Sequence, residues 1–417
     1  MCAQARSRVS FVTAARVGKG PRRPSANLVG GSLAVLEAEF IQTRETWEKF
    51  TKALSGAAIV ALATEDSSLY AYRGALCLVQ AHVETREGAS LLAVIDVLTL
   101  SRDRSVSLHA LWSALPSEAV VVMHGGEYAV AALRQLGRPG FSGLSDTQQA
   151  ADLLGLPQTG YRTLCASLLG IAVSQGHGFD WRQRPLAAGA VTHAVQDVAH
   201  LPALYHALAL RIRAAELDEE WAIAGQTVLL TSVDANRADP ENAWNTKESR
   251  EIPGPRRALF KGLLEWRERK ARDFDCPPGK VIPTRTLLAL ATAAGPDLDA
   301  RLGEGFHSRL TYPDREDLKR LWCGLVAASD DAVPSPGAHR EAPLGPPQTA
   351  RLKRLKAWRR EEAAGRAVGL QAVLPASALL HIARRGIDGL KDAPQIGAAR
   401  RARYEMALTE VLKDPVD

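Results

Sequence analysis

Cysteine is scarce in this 417-residue chain: Cys2, Cys77, Cys165, Cys276 and Cys323 are scattered, and no two stand as C-x-x-C. An odd, dispersed set argues against a disulfide framework or a cysteine zinc site and leaves reduced thiols, which fits a cytoplasmic protein. Long apolar runs are missing too. Nothing approaches the ~18 to 20 uninterrupted apolar residues of a bilayer-spanning helix, and no apolar core with a cleavage site reads as a secretory signal, so no membrane association is expected. Acidic residues are absent from positions 1 to 36, which hold six Lys or Arg. That segment reads as a disordered basic arm or an over-long start, with an organelle transit peptide as the alternative.

What is present suffices for ordinary globular cores: 46% of the residues are hydrophobic. The net charge of +6 is unevenly spread. Residues 349 to 413 hold fourteen Lys or Arg against six acids, so with the basic arm they leave the remainder near about −8. Positive charge at the two ends is the electrostatic footprint that a phosphate backbone would attract.

Three apolar runs, "AAIVALA", "ALCLVQAHV" and "SLLAVIDVL", follow one another from residue 57 at a spacing suited to neighbouring strands of a meander. "LHALWSAL" then reads as a helix, "AVVVM" as a buried strand and "EYAVAALRQL" as a helix, so strand and helix alternate. Beyond "SDTQQAADLLG" the pattern is almost wholly helical. The expectation is a mixed sheet with packed helices over residues 37 to 212, then a helical connector over 213 to 249.

From residue 250 the chain repeats itself. "LLEWRERKARDFDCPPGKVIPTRTLLALATA" and "LKAWRREEAAGRAVGLQAVLPASALLHIARR" align without a gap at an offset of 92, matching Trp266 to Trp358, Pro283 to Pro375 and Leu287 to Leu379. Two copies of one helical module, at 250 to 328 and 349 to 413, are the economical reading. The Pro/Gly-rich stretch 329 to 348 between them reads as a linker, so the modules are expected to move independently.

Four segments carry a family resemblance: "DWRQRPL" at 180 to 186, the following "THAVQDVAHLPALY", "PENAWNTKE" at 240 to 248 and "EWRERKARDFDCPP" at 265 to 278. In type and order they resemble ribonuclease D. The resemblance implies a DEDD-type 3′-5′ exonuclease domain of ribonuclease H-like α/β fold, followed by two all-α HRDC domains. It also implies Mg²⁺ or Mn²⁺ chemistry, in which four carboxylates hold two divalent cations that support the attacking and leaving oxygens.

Against that pattern the site is incomplete. The family's first two carboxylates sit at i and i+2 on a strand, and here they are Ala63 and Glu65. The third follows a histidine by five positions, which after His124 is Ala129. The fourth is present as Asp197, with His193 where the family's water-orienting tyrosine would stand four residues earlier. Gln175 also falls where the family often has lysine. Asp66 and Glu127 are poor replacements: one points to the opposite strand face, and the other is turned roughly 200° from Ala129 around a helix of ~3.6 residues per turn. Glu65 and Asp197 are therefore the residual metal ligands, with weak binding or none expected, and His193 is the residual catalytic group. Losing an outer-shell partner of a metal ligand costs about 10 to 100-fold in affinity or activity, and two direct ligands should cost about 10² to 10⁴ by extension.

Other conspicuous residues read as structural: Asp180 and Trp181 as capping and packing groups, Trp266 and Trp358 as core anchors, His124 as a hydrogen-bonding group and Cys77 as a small hydrophobe. Basic side chains offer a nucleic-acid surface. Arg351, Lys353, Arg354, Lys356, Arg359 and Arg360 crowd the first helix of the second module, and Arg400, Arg401 and Arg403 lie near its last helix. The blander account is a solvated helix face. The first functional reading is a protein that binds RNA or another single-stranded nucleic acid, with catalysis impaired. The alternatives are an active exoribonuclease in RNA (tRNA-type) 3′-end processing, or a scaffold whose helical modules dock a protein partner.

Overall fold

The computed structural model describes residues 8–12, 35–137, 141–174, 176, 178–230, 252, 254–292, 309–327 and 343–413. The chain divides into two units. One contains residues 1–65, 76–233 and 344–417, and the other contains 66–75 and 234–343.

The first unit is built on a seven-stranded mixed sheet of order β1-β2-β5-β4-β3-β6-β7. Its strands are β1 Arg8–Val12, β2 Val35–Ile41, β3 Ala57–Asp66, β4 Leu76–Thr85, β5 Ser90–Asp96, β6 Val120–Met123 and β7 Ser145–Asp146. The three expected meander strands are adjacent in the order β5-β4-β3. β2 joins them by parallel pairing to β5, and β3 pairs parallel to β6, so the meander is extended on both sides.

The central strands read as continuous apolar runs because both faces are covered. Ile59 and Ala61 enter one cluster while Val60 and Leu62 enter the other. On the second face lies α1 Arg44–Leu54, started by a Thr43 capping box and seated on Trp47, Phe50 and Leu54. On the first lie α4 Ala188–Ala199 and α5 Leu201–Ala214, which contribute Ala190, Ala194, Val198, Leu204 and Leu208. The shorter α2 Glu127–Leu133 and α3 Thr147–Leu153 follow β6 and β7, and α6 Asp218–Leu230 follows α5.

Two expected boundaries are corrected. Residues 8 to 12, inside the expected disordered arm, pair antiparallel with β2; two valines and a phenylalanine in five residues give "RVSFV" strand-forming composition. The expected connector begins with a helix that belongs to the domain core: Trp221 of α6 is buried, and its indole N–H donates to the Asp146 carbonyl at 2.8 Å. Residues 231 to 250, with "PENAWNTKE", lie outside the described residues, as does most of the linker.

In the second unit, α7 Gly254–Phe274 is followed by a one-turn helix at Pro278–Val281, α8 Thr284–Thr292 and α9 Tyr312–Ala327. Trp266 is 1% exposed at the centre of its core. The indole N–H donates to Asp317 at 2.9 Å, and Tyr72, from the 66–75 excursion, joins the same cluster.

The repeat shows directly in the second module. α10 Pro346–Arg366 and the short helix Leu370–Val373 begin and end 92 residues after their counterparts, and α11 Ala376–Arg385 starts at the same offset. α12 Gly397–Leu412 starts only 85 residues after α9, so the second copy has a shorter final connector.

This second copy is not free to move by itself, contrary to expectation. It shares the first unit's core, and the Gly369 N–H donates to the Leu153 carbonyl at 2.7 Å. The seam is too close for a side chain: a Cβ on Gly369 would lie 1.8 Å from the Asp152 carbonyl oxygen. Glu219 of α6 accepts from the Ala398 and Ala399 N–H groups at the start of α12, where a carboxylate satisfies otherwise orphaned donors.

Candidate active site

Strand β3 and helix α4 bring Glu65, His193 and Asp197 together. One ligand-type atom from each lies within 4.8 Å of the others. His193 Nε2 stands 3.8 Å from Glu65 Oε1 and 3.7 Å from Asp197 Oδ2, the latter being its i+4 neighbour on α4. Burial pushes the Asp197 carboxyl above its ordinary range, against the pull of His193, Glu65 and Arg162.

The histidine ring is held from three sides. Trp181 stacks on it at 6.1 Å with 22° between planes, Phe179 lies at 6.0 Å, and a Cβ on Gly176 would be 2.4 Å from the ring. His193 Nδ1 is buried with no hydrogen-bond partner. A cavity of 390 Å³ opens beside His193 and Asp197, lined also by Tyr161, Arg162 and Ser174. Tyr161 donates to the Gln196 carbonyl at 3.0 Å and accepts from the His200 N–H at 3.2 Å, which ties the cavity wall to the end of α4. Sequence reading missed Tyr161 and Arg162, although "GYRTL" stands alone as a polar-aromatic step between two helical segments.

The two alanines lie in different places. Ala63 is on β3, two residues before Glu65, and packs at the edge of the α4 cluster. Ala129 is in α2 and packs at the edge of the cluster on the other sheet face. Neither proposed replacement acid completes the cluster: Asp66 Oδ1 accepts from the Ser68 N–H at 2.7 Å, and Glu127 lines a separate cavity. Gln175 lies outside the described residues.

The resemblance implies a two-cation centre. Two carboxylates and an imidazole within 4.8 Å suit one cation. For a second, the Ala63 methyl offers no donor beside Glu65. The residues fit a single ion and do not fit a pair.

The surrounding framework is built of satisfied charges. Asp96 is 1% exposed, caps the short helix after β5 through the Thr99 N–H, and receives Arg184 Nε and Nη2 at 2.6 and 2.7 Å. This fork also donates to the Trp181 carbonyl at 2.7 Å, so the "DWRQRPL" segment is pinned at both its tryptophan and its arginine. Asp180 pairs with Arg182 at 3.1 Å within that turn and does not cap a helix. His124 takes the structural role expected of it, with Nδ1 2.9 Å from the Thr147 hydroxyl.

Residues 38–213 match the 3′-5′ exonuclease family, and residues 256–302 and 348–412 match the HRDC domain. The chain is 30% identical over 264 residues to ribonuclease D of Gluconacetobacter diazotrophicus, covering 62% of this chain and 64% of that protein. It is 29% identical over 329 residues to ribonuclease D of a Jannaschia species, covering 76% and 82%. The chain belongs to the ribonuclease D family. The match to the Gluconacetobacter relative spans just under two thirds of that relative's length. In fold, the chain is similar to Escherichia coli RNase D, described as an exoribonuclease involved in structured RNA processing, with TM-score 0.65 and 19% identity over 92% of this chain and all of that one. The catalytic core of Trypanosoma brucei RRP6 is a more partial match, with TM-score 0.55 over 69% of this chain.

Hydrogen bonds and one ion pair draw several of the basic residues away from the expected nucleic-acid face. Arg400 is 2% exposed and donates to the Ala372, Gln395 and Gln371 carbonyls. Arg403 pairs with the buried Glu220 at 3.1 Å. Arg351, Arg354 and Arg359 donate to the carbonyls of Ala383, Val411 and Leu374, binding α10 to its neighbours. A guanidinium that satisfies helix-end carbonyls is part of the module's packing, which composition cannot distinguish from a solvated charge. Arg401 is exposed but donates to the Lys391 carbonyl. Lys353, Lys356 and Arg360 are exposed at i, i+3 and i+7 along one stripe of α10.

Proposed function

We propose that this protein binds nucleic acid, chiefly single-stranded RNA with a free 3′ end, on a ribonuclease D scaffold whose hydrolytic centre is impaired. The observation that carries the reading is Ala63 beside Glu65 on β3: the position that would present a second carboxylate to a metal pair carries a methyl group. Fewer carboxylates in a cleft mean less repulsion of phosphate without metal, so binding is separable from cutting. Arg162 at the cavity and the Lys353, Lys356 and Arg360 stripe supply positive charge for backbone contacts. A cytoplasmic setting goes with this reading, since Cys77, Cys165, Cys276 and Cys323 form no disulfide among the described residues.

The cluster of Glu65, His193 and Asp197 favours a second reading, slow 3′-5′ exoribonuclease activity with one cation in RNA 3′-end processing. In that case the two carboxylates and His193 hold the ion, which supplies Lewis-acid stabilisation of charge. A protein-docking scaffold has less support, because the second module already packs against the first unit's core. A 5′-labelled RNA incubated with Mg²⁺ and then Mn²⁺, with Asp197→Ala as control, separates these readings. The proposal expects a shifted band and no shortening. Shortening that vanishes in the control establishes the second reading, and binding that survives high salt favours the third.

A further inference from the structure

The cluster of Glu65, His193 and Asp197 carries information about which ion it takes. The three side chains are 19%, 24% and 29% exposed, so each is sheltered yet reachable, and the cavity beside His193 and Asp197 gives the way in.

The direction of the imidazole is fixed by its surroundings. Nδ1 would lie 2.5 Å from a Cβ on Gly176, while Nε2 faces Glu65 Oε1 at 3.8 Å and Asp197 Oδ2 at 3.7 Å. Both separations exceed the ~2.7–3.2 Å of an N–H···O hydrogen bond. Nδ1 is buried without a partner, so neither carboxylate nor backbone uses the ring as a hydrogen-bonding group. Trp181 and Phe179 hold it in place by packing instead.

An ion among the three ligand atoms answers this spacing. Bonds of ~2.1 Å set neighbouring ligands about 3.4 Å apart at a tetrahedral ion and about 3.0 Å apart at an octahedral one. The observed 3.7 and 3.8 Å lie nearer the tetrahedral figure. Donor chemistry points the same way: Mg²⁺ is hard, prefers oxygen and gives up its waters reluctantly, whereas imidazole nitrogen suits Zn²⁺ and its first-row neighbours. Two carboxylates and a neutral imidazole also balance the charge of one dication.

We propose that Glu65, His193 and Asp197 form a mononuclear site for a transition ion of the Zn²⁺ class, with His193 Nε2 as a direct ligand, and that the site discriminates against Mg²⁺. This rests on the reading of the cleft as one that fits a single ion. Three protein donors leave a coordination position for solvent or an RNA oxygen.

The test is titration of the full-length protein, first dialysed against chelator, with Zn²⁺ and Mg²⁺ by calorimetry and with Co²⁺ by visible absorption, whose intensity separates four-coordinate from octahedral binding. The expected result is one Zn²⁺, bound at least about 100-fold more tightly than Mg²⁺, and an intense Co²⁺ band that Zn²⁺ displaces. His193→Gln should weaken Zn²⁺ at least about tenfold, abolish the Co²⁺ band and leave Mg²⁺ unchanged, a selectivity that a merely structural histidine would not show. Glu65→Gln should weaken both ions and keeps the test valid if His193→Gln fails to fold. His206→Gln, at an exposed histidine beside Glu84, should leave Zn²⁺ affinity unchanged. Mg²⁺ bound as tightly as Zn²⁺, an octahedral Co²⁺ spectrum, or Zn²⁺ affinity unchanged in both cluster variants would overturn the proposal. An RNA band shift in the presence of chelator tests the nucleic-acid reading by itself, so failure of either one leaves the other standing.

Discussion

The cleft and the framework that holds it differ in how fully their polar groups are partnered. Around the cleft, Arg184 still forks onto Asp96, Trp181 still stacks on His193, and Gly176 still leaves room for that ring. Inside it, a methyl stands where a second carboxylate would face a metal pair, and His193 has an orphaned nitrogen. Framework residues are bound into folding energy, so their loss lowers stability. Cleft carboxylates oppose folding, because they are charges taken partly out of water. The difference teaches that holding the scaffold and presenting the cleft's carboxylates answer to different terms in the free energy.

Breaking the framework gives the largest effect. Arg184→Ala leaves the Asp96 carboxylate buried without its fork, and a broken buried pair costs about 3–5 kcal/mol; denaturant unfolding should show a fall of that size. Gly369→Ala forces backbone apart where the second module meets Asp152, and overpacking of this kind costs about 1–3 kcal/mol. Its signature is protease sensitivity of residues 344 to 413 ahead of the exonuclease domain.

The cleft should behave in the opposite sense. Burial raises the Asp197 pKa above 3.8, so the folded protein holds this proton at pH values where the unfolded chain has released it. Stability contributed by the protonated carboxyl is present below about pH 3.8 and lost as pH rises through the folded value. Asp197→Asn should flatten that part of the pH–stability profile and raise the Tm at pH 7, whereas a framework variant lowers it.

The smallest effect on stability belongs to the exposed stripe. Replacing Lys353, Lys356 and Arg360 by Gln should change folding by less than about 0.5 kcal/mol, as surface substitutions do. It should still reduce the salt dependence of RNA binding, by about 0.7 in log–log slope for each lost phosphate contact.

How much of this was legible in the sequence follows the same division. The buried strands of the meander and the repeat were plain, because apolar periodicity and the recurrence of Trp266 at Trp358 are local signals. Glu65, His193 and Asp197 were named together because they occupy motif positions of the ribonuclease D family, and the fold brings them within 4.8 Å of one another. The strand at 8 to 12 was hidden by its basic neighbours. Arg400 and Arg403 were misplaced because composition counts charge but does not see the Ala372 carbonyl or the Glu220 carboxylate that uses it. The wall at Tyr161 and Arg162 had only the local signal of "GYRTL", which does not show its contact with the end of α4, more than thirty residues away.

The most direct measurement is a calorimetric titration of Mn²⁺ into the wild-type protein, Asp197→Ala and Ala63→Asp. The account predicts at most one ion in the wild type, abolished in Asp197→Ala, with a second ion or clearly tighter binding in Ala63→Asp. Two tightly bound ions in the wild type, both lost in Asp197→Ala, would contradict it and restore a working two-metal centre.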